Sequence, residues 1–185
     1  MKKILMTIAL AICTAFATFA EGPNLDAGIA LDYSDGYDGI TFGGAVNFDY
    51  EFPANVVIFS NTTFTFGSEP KSAISEILGV GYRFGSTEKM YFQVGAGLGL
   101  IFFDHGDNSN SDSYSYSYSE GKASLYCEAG PALAVKFAIN FTDFIGMNFG
   151  VDAIYNPVKL WSDADAIDPE SHLSIIPKVC AVFYF

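Results

Sequence analysis

The sequence predicts an all-β fold, a closed antiparallel eight-stranded barrel that crosses a membrane up and down as a meander. Three observations lead there. Eight segments alternate apolar and polar residues with a period of two, the connections between them alternate short and long, and the two faces differ in kind. One face is bulky and apolar. The other is crowded with Gly, Ala, Ser and Asn, and carries the charges.

The second segment, 40–52, shows the period best. Ile40, Phe42, Val46, Phe48, Tyr50 and Phe52 share one face, while Thr41, Gly43, Ala45, Asn47, Asp49 and Glu51 share the other. The first strand, 25–33, carries Leu25, Ala27, Ile29, Leu31 and Tyr33 in phase. The third, 55–66, is the least clean, because Val57 and Phe59 break the alternation. The fourth, 73–84, aligns Ile74, Leu78, Val80, Tyr82 and Phe84; Glu76 is the main charge on the apolar side and is expected near a rim. The fifth, 90–102, sets Met90, Phe92, Val94, Leu98, Leu100 and Phe102 against Gln93, Gly95, Gly97 and Gly99. The sixth, 125–137, sets Leu125, Cys127, Leu133, Val135 and Phe137 against Glu128, Gly130, Ala132, Ala134 and Lys136. The seventh, 145–155, aligns Ile145, Met147, Phe149, Val151 and Tyr155, and the eighth, 173–185, aligns Leu173, Ile175, Val179, Ala181, Phe183 and Phe185.

Tight turns follow the second, fourth and sixth strands at Pro53-Ala54, Gly85-Ser86-Thr87-Glu88 and Asn140-Phe141-Thr142. Longer polar segments follow the odd strands, the longest spanning 104–121 and 156–170. Short connections at one end and long ones at the other belong to a transmembrane barrel. Small residues on the polar face would cover a water-facing surface poorly, but they suit the narrow interior of eight strands. The bulky face is therefore expected to meet lipid. Aromatic residues near strand ends, among them Tyr33, Tyr50, Phe66, Tyr82, Phe84 and Tyr155, fit interfacial girdles.

The chain has 185 residues, with 21 acidic and 9 basic side chains and a net charge of −12. That balance excludes a nucleic-acid partner on electrostatic grounds. Residues 1–20 read as an export signal: Lys2 and Lys3, an apolar stretch from Ile4 to Phe16, and Thr18-Phe19-Ala20 as a small-x-small cleavage site. The barrel domain is then 21–185, with 7 basic and 21 acidic residues. Cys127 and Cys180 fall in opposite strand phases, so no disulfide is expected between them.

The closing segment, with Val179, Ala181, Phe183 and the terminal Phe185 at every second position, resembles the C-terminal signature of bacterial outer-membrane barrels. Residues 25–185 as a whole resemble the small barrels of the OmpX, OmpA-domain, opacity-protein and OmpW kind. The resemblance implies an outer-membrane location in a diderm bacterium, a lipid environment, and recognition of the last strand by the barrel-assembly machinery. A monomer and no cofactor are expected.

Candidate chemistry is sparse. Arg83, Glu128, Lys136, Asp152 and Lys178 fall on the inner face with Asp49 and Glu51, and charges in so narrow a tube need partners. Glu128, Asp152 and Lys178 are expected to form one network that plugs the lumen, or else lines a gated pore. Asp104, Asp107, Asn108, Asn110 and Asp112, and separately Asp163, Asp165 and Asp168, offer hard oxygen ligands of the kind calcium takes, but solvated loops are the simpler expectation. Tyr114, Tyr116 and Tyr118 alternate with serines in a long loop and suit contact with an extracellular ligand or host surface. The Gly95–Gly99 run has strand period and no following helix, so it is packing rather than a phosphate loop. His172 and Ser174 brush against the His-x-Ser pair of lipid A deacylase barrels without extending that motif. The leading expectation is a non-enzymatic scaffold displaying acidic, Tyr-rich loops, as in adhesion. A narrow porin-like channel or transporter for small or apolar molecules is the alternative, and a lipid A-modifying enzyme a distant third.

Overall fold

The computed structural model describes residues 23–34, 40–67, 72–86, 89–104, 125–162 and 172–185. The strands are β1 (Pro23–Ser34), β2 (Ile40–Phe52), β3 (Val56–Phe66), β4 (Ser72–Ser86), β5 (Met90–Asp104), β6 (Leu125–Asn140), β7 (Ile145–Asn156), β8 (Val158–Ser162) and β9 (His172–Tyr184). All pairings are antiparallel. Sequence neighbours pair from β1 to β7, β7 pairs with β9, and β9 returns to β1. The sheet therefore closes on itself, and the ring formed by β1–β7 and β9 has no edge; β8 is paired with β6 alone among the described residues.

Nine strands make eight staves, because β8 continues β7 along β6. A loop is expected from residue 156; instead the chain breaks only at Pro157, which cannot donate to the ladder, and re-pairs from Ala129↔Val158 onward. Gly130 makes that break possible. A Cβ there would lie 1.8 Å from the Tyr155 carbonyl oxygen and 2.6 Å from Pro157 Cδ.

The turns gather at one end. The β2–β3 turn uses Pro53–Asn55, with Ala54 and Asn55 at φ 70° and 62°. In the β6–β7 turn, Thr142 Oγ1 accepts from the amides of Phe144 and Ile145 at 3.2 and 3.1 Å.

The two faces divide as the alternation dictates. On β7, Gly146, Asn148, Gly150, Asp152, Ile154 and Asn156 are buried, and their neighbours look outward. Bulky apolar side chains dominate the exposed set, including Ile29, Phe42, Leu78, Phe92, Leu133 and Phe149, while Asp26, Asn47, Asp49, Arg83 and Lys136 are buried. A greasy outside around a charged inside inverts a soluble barrel, and it suits a wall bathed in acyl chains.

Three details correct the sequence expectation. Val57 and Phe59 turn inward on β3, and with Ile77, Ile101, Ile154 and Ile176 they form an apolar layer within the tube. The interior is therefore filled by more than small and ionised groups. Room for the Phe59 ring comes from β4 and β5: a Cβ on Gly95 would lie 2.2 Å from Phe59 Cε1, and one on Gly79 2.5 Å from Cζ. Tyr50, expected on the exposed face, is buried with its ring 4.7 Å from that of Phe52. Glu76 does not sit at a rim. Phe64, Phe66, Ile74 and Phe102 lie beyond it toward the loop end, so it stands inside the apolar belt.

Candidate functional site

Six polar residues on six strands stand three or four residues in from the turn end and point inward: Asp26, Asp49, Arg83, Gln93, Lys136 and Asn148. The pleat puts them there, since each alternates with an outward apolar neighbour. Arg83 Nη1 donates to Glu51 at 2.6 Å and Nη2 to Asp49 at 3.2 Å; Nε and Nη2 both reach Gln93 Oε1, at 3.1 and 2.8 Å. Its guanidinium also lies 4.0 Å from the centre of the Tyr91 ring. Lys136 Nζ donates to Asp49 at 2.5 Å and to Asp26 at 2.6 Å. Asp26 Oδ2 also accepts from Asn148 at 2.6 Å.

A second group lies further along the tube. Lys178 Nζ donates to Asp152 at 2.5 Å and to Asn47 Oδ1 at 3.0 Å, and Asn61 Nδ2 donates to both Asp152 oxygens at 3.1 and 3.2 Å. Gly150, opposite Lys178 in the ladder, leaves space for the lysine stem: a Cβ there would be 3.1 Å from Lys178 Cε.

Two of these contacts cross the full tube. Lys136 and Asp49 stand on staves six and two, Asn61 and Asp152 on staves three and seven. In a ring of eight those are opposite walls. Charge-assisted bonds at such lengths hold the walls together.

The grouping differs from the expected one. Asp152 and Lys178 meet, but Glu128 stands apart from them. Asp152 is level with Ala134 on β6, and Glu128 lies six residues further toward the loop end, about 20 Å along the strand. Glu128 is buried on the inner wall there. Lys136 and Arg83 join through Asp49 instead. Asp26 was not singled out in the sequence, although its alternation with Leu25 and Ala27 carries the same signal; the amides Asn47, Asn61, Gln93 and Asn148 complete both groups.

The remaining candidates divide by position. Val179, Phe183 and Phe185 are exposed on the outer wall, with Ala181 half-buried among them. Cys127 and Cys180 are both buried and free. Ser174 is buried on the inner wall; the side chain of its companion His172 lies outside the description. Tyr114, Tyr116 and Tyr118, and the acidic loop residues 107–112 and 163–168, lie outside the described residues, as does the side chain of Asp104. Among the described residues, no group of three His, Cys, Asp or Glu stands together to hold a metal ion.

No family model matches the chain, and no curated protein matches it by sequence. Solved structures do match. Neisserial surface protein A aligns with a TM-score of 0.60 at 13% identity, over 89% of this chain and 96% of that one. Ail, the attachment invasion locus protein of Yersinia pestis, in complex with the heparin analogue sucrose octasulfate, gives 0.58 at 15%, over 89% and 99%. The N-terminal β-barrel domain of Pseudomonas aeruginosa OprF gives 0.55 at 14%, over 89% and 98%. The chain has the fold of the small eight-stranded outer-membrane barrels. Each alignment covers 89% of this chain and nearly all of the other. At such identities the likeness concerns the fold and carries no side-chain correspondence.

Proposed function

We propose that the protein is an integral barrel of a bacterial outer membrane and serves as a non-enzymatic scaffold, presenting acidic, Tyr/Ser-rich loops to the exterior for contact with a ligand or host surface. The observation that carries this reading is the tied lumen. Lys136–Asp49 at 2.5 Å and Asn61–Asp152 at 3.1 Å span opposite walls, and the layer of Phe59, Ile77, Ile101, Ile154 and Ile176 fills the bore beside them. A tube so filled favours work done at its ends over passage through it. Planar-bilayer recording of the refolded protein tests this: wild type is expected to show no discrete conductance steps. Reproducible steps in wild type would overturn the scaffold and favour the narrow channel.

The loop contact belongs to Tyr114, Tyr116 and Tyr118, whose rings bury area at small entropic cost. Ail was solved with a sulfated ligand. With 21 acidic against 9 basic side chains, the present chain suits a neutral or basic partner surface better than a polyanion. Cells displaying the protein with all three tyrosines changed to Ala should lose adhesion by about ten-fold or more. Equal adhesion would remove the loop from the proposal. Outward Val179, Phe183 and Phe185 supply the pattern for recognition during assembly, and Phe185→Ala should lower the folded outer-membrane fraction.

A further inference from the structure

Four aspartates are buried among the described residues, all on the inner wall, and three of them are held by a cation. Lys136 takes Asp26 and Asp49, and Lys178 takes Asp152. Asp32 is the fourth, and no ion pair among the described residues includes it. It lies near the loop end of β1, 8% exposed, and its Oδ1 has no hydrogen-bond partner.

Two hydroxyls beside it are in the same state. Thr41 on β2 is the direct register partner of Asp32, which in an antiparallel pair sets the two Cβ atoms about 4.5–5.5 Å apart. Ser174 on β9 pairs with Ser34, the next inward residue of β1, and so stands diagonal to Asp32. Thr41 is 5% and Ser174 1% exposed, and the hydroxyl oxygens of both lack partners. The three residues thus line three adjacent staves, each one inward position nearer the loops than Ala30, Gly43 and Ile176. Ala30 and Ile176 belong to the apolar layer. Ala30 and Gly43 also bring little bulk beneath Asp32 and Thr41. A polar patch with an apolar floor therefore stands at the loop end of the tube.

The chemistry of the patch defines what would complete it. A carboxylate only accepts, and a buried one calls for a positive charge; each hydroxyl keeps lone pairs of its own. A primary ammonium brings one charge and three donors. A nitrogen bonded to three oxygens at about 2.8 Å holds them about 4.5 Å apart, close to the spacing of directly paired side chains. A calcium ion takes about six to eight oxygens, more than the three aligned here. We propose that Asp32, Thr41 and Ser174 form a receptor for a primary ammonium group arriving from the loop end, carried by a free amine or by a lysine side chain of a partner. Such a receptor deepens the reading of the loop end as a contact surface suited to a basic partner. It rests on that reading for the side of approach and does not involve Tyr114, Tyr116 or Tyr118.

Solution NMR of the full barrel, refolded in an uncharged maltoside detergent and titrated with butylammonium chloride, tests this. Wild type is expected to show saturable shifts centred on the amides of residues 32, 41 and 174. Sodium chloride and tetramethylammonium chloride, which bring charge without N–H donors, should not reproduce them. Asp32→Asn should weaken binding about ten-fold or more, and Thr41→Val or Ser174→Ala about three-fold or more. Gel mobility before and after boiling checks that each variant folds, and Ser174→Ala serves if Asp32→Asn does not. Nα-acetyl-lysine amide is titrated in parallel: binding like that of butylammonium assigns the group to a lysine side chain, and binding of butylammonium alone assigns it to a free amine. The absence of saturable shifts in wild type would overturn the proposal. So would equal shifts from sodium or tetramethylammonium, or a folded Asp32→Asn or Ser174→Ala that binds as wild type does. Adhesion of the triple tyrosine variant is read separately, so failure of the receptor and failure of the loop contact are distinguishable.

Discussion

Lys136 and Asp49 stand on opposite walls of the barrel, 87 positions apart in sequence, with the ammonium 2.5 Å from the carboxylate. The same ammonium also holds Asp26, and the same carboxylate also holds Arg83, so both charges of this pair balance more than one neighbour. Removing the lysine alone takes the cation from the buried Asp26 and leaves the buried Asp49 with Arg83 only. Lys136→Met is expected to cost about 3–5 kcal/mol, the scale for a buried pair broken from one side. Urea unfolding in lipid vesicles, followed by circular dichroism, measures it. A loss below about 1 kcal/mol would mean that water or a rearranged Arg83 replaces the ammonium without difficulty.

Phe59 and Gly95 form a ring and the gap that receives it. Gly95→Ala places a methyl 2.2 Å from Phe59 Cε1, so the ring or the wall must shift. The expected destabilisation is about 1–3 kcal/mol, the usual cost of overpacking. Phe59→Leu costs stability by itself, but in the Gly95→Ala background it should cost less, or even help. A double-mutant cycle with no coupling between the two positions would show that the gap does not depend on the ring.

Ala54 adopts φ 70° in the β2–β3 turn, where a Cβ crowds the backbone. Ala54→Gly relieves a cost of about 1–2 kcal/mol for the left-handed conformation and adds about 0.5–1 kcal/mol of unfolded-state entropy. A net gain of about 0.5–1 kcal/mol in unfolding free energy is expected, with no change in any lumen contact. A loss would show that the Ala54 methyl contributes packing worth more than the strain.

Much of the architecture was legible in local order. Alternation through Ile145, Met147, Phe149 and Val151 sends Gly146, Asn148, Gly150 and Asp152 to the other face, and no tertiary information is needed to see it. Arg83, Lys136, Asp152 and Lys178 are inward for the same reason. Where both phases carry apolar residues the signal fails. Phe59 and Ile58 are equally plausible on either face until Gly79 and Gly95, on β4 and β5, leave a hollow for one of them. Glu76 misled in a related way: alternation gives its face but not its depth, which depends on the register that sets Phe64, Phe66 and Phe102 of the neighbouring strands on its loop side.

The pattern of side chains along the chain was enough to settle strand, face, the preferred solvent of each face and the alternation of turns with loops, because a pleated backbone exposes successive residues to opposite sides. Closure of the ring decided the rest. It set Lys136 across from Asp49, brought Asn61 to Asp152, and kept Glu128 away from both groups. Those meetings depend on the height of each strand relative to its neighbours, summed around eight staves, and no single stretch of sequence encodes that sum.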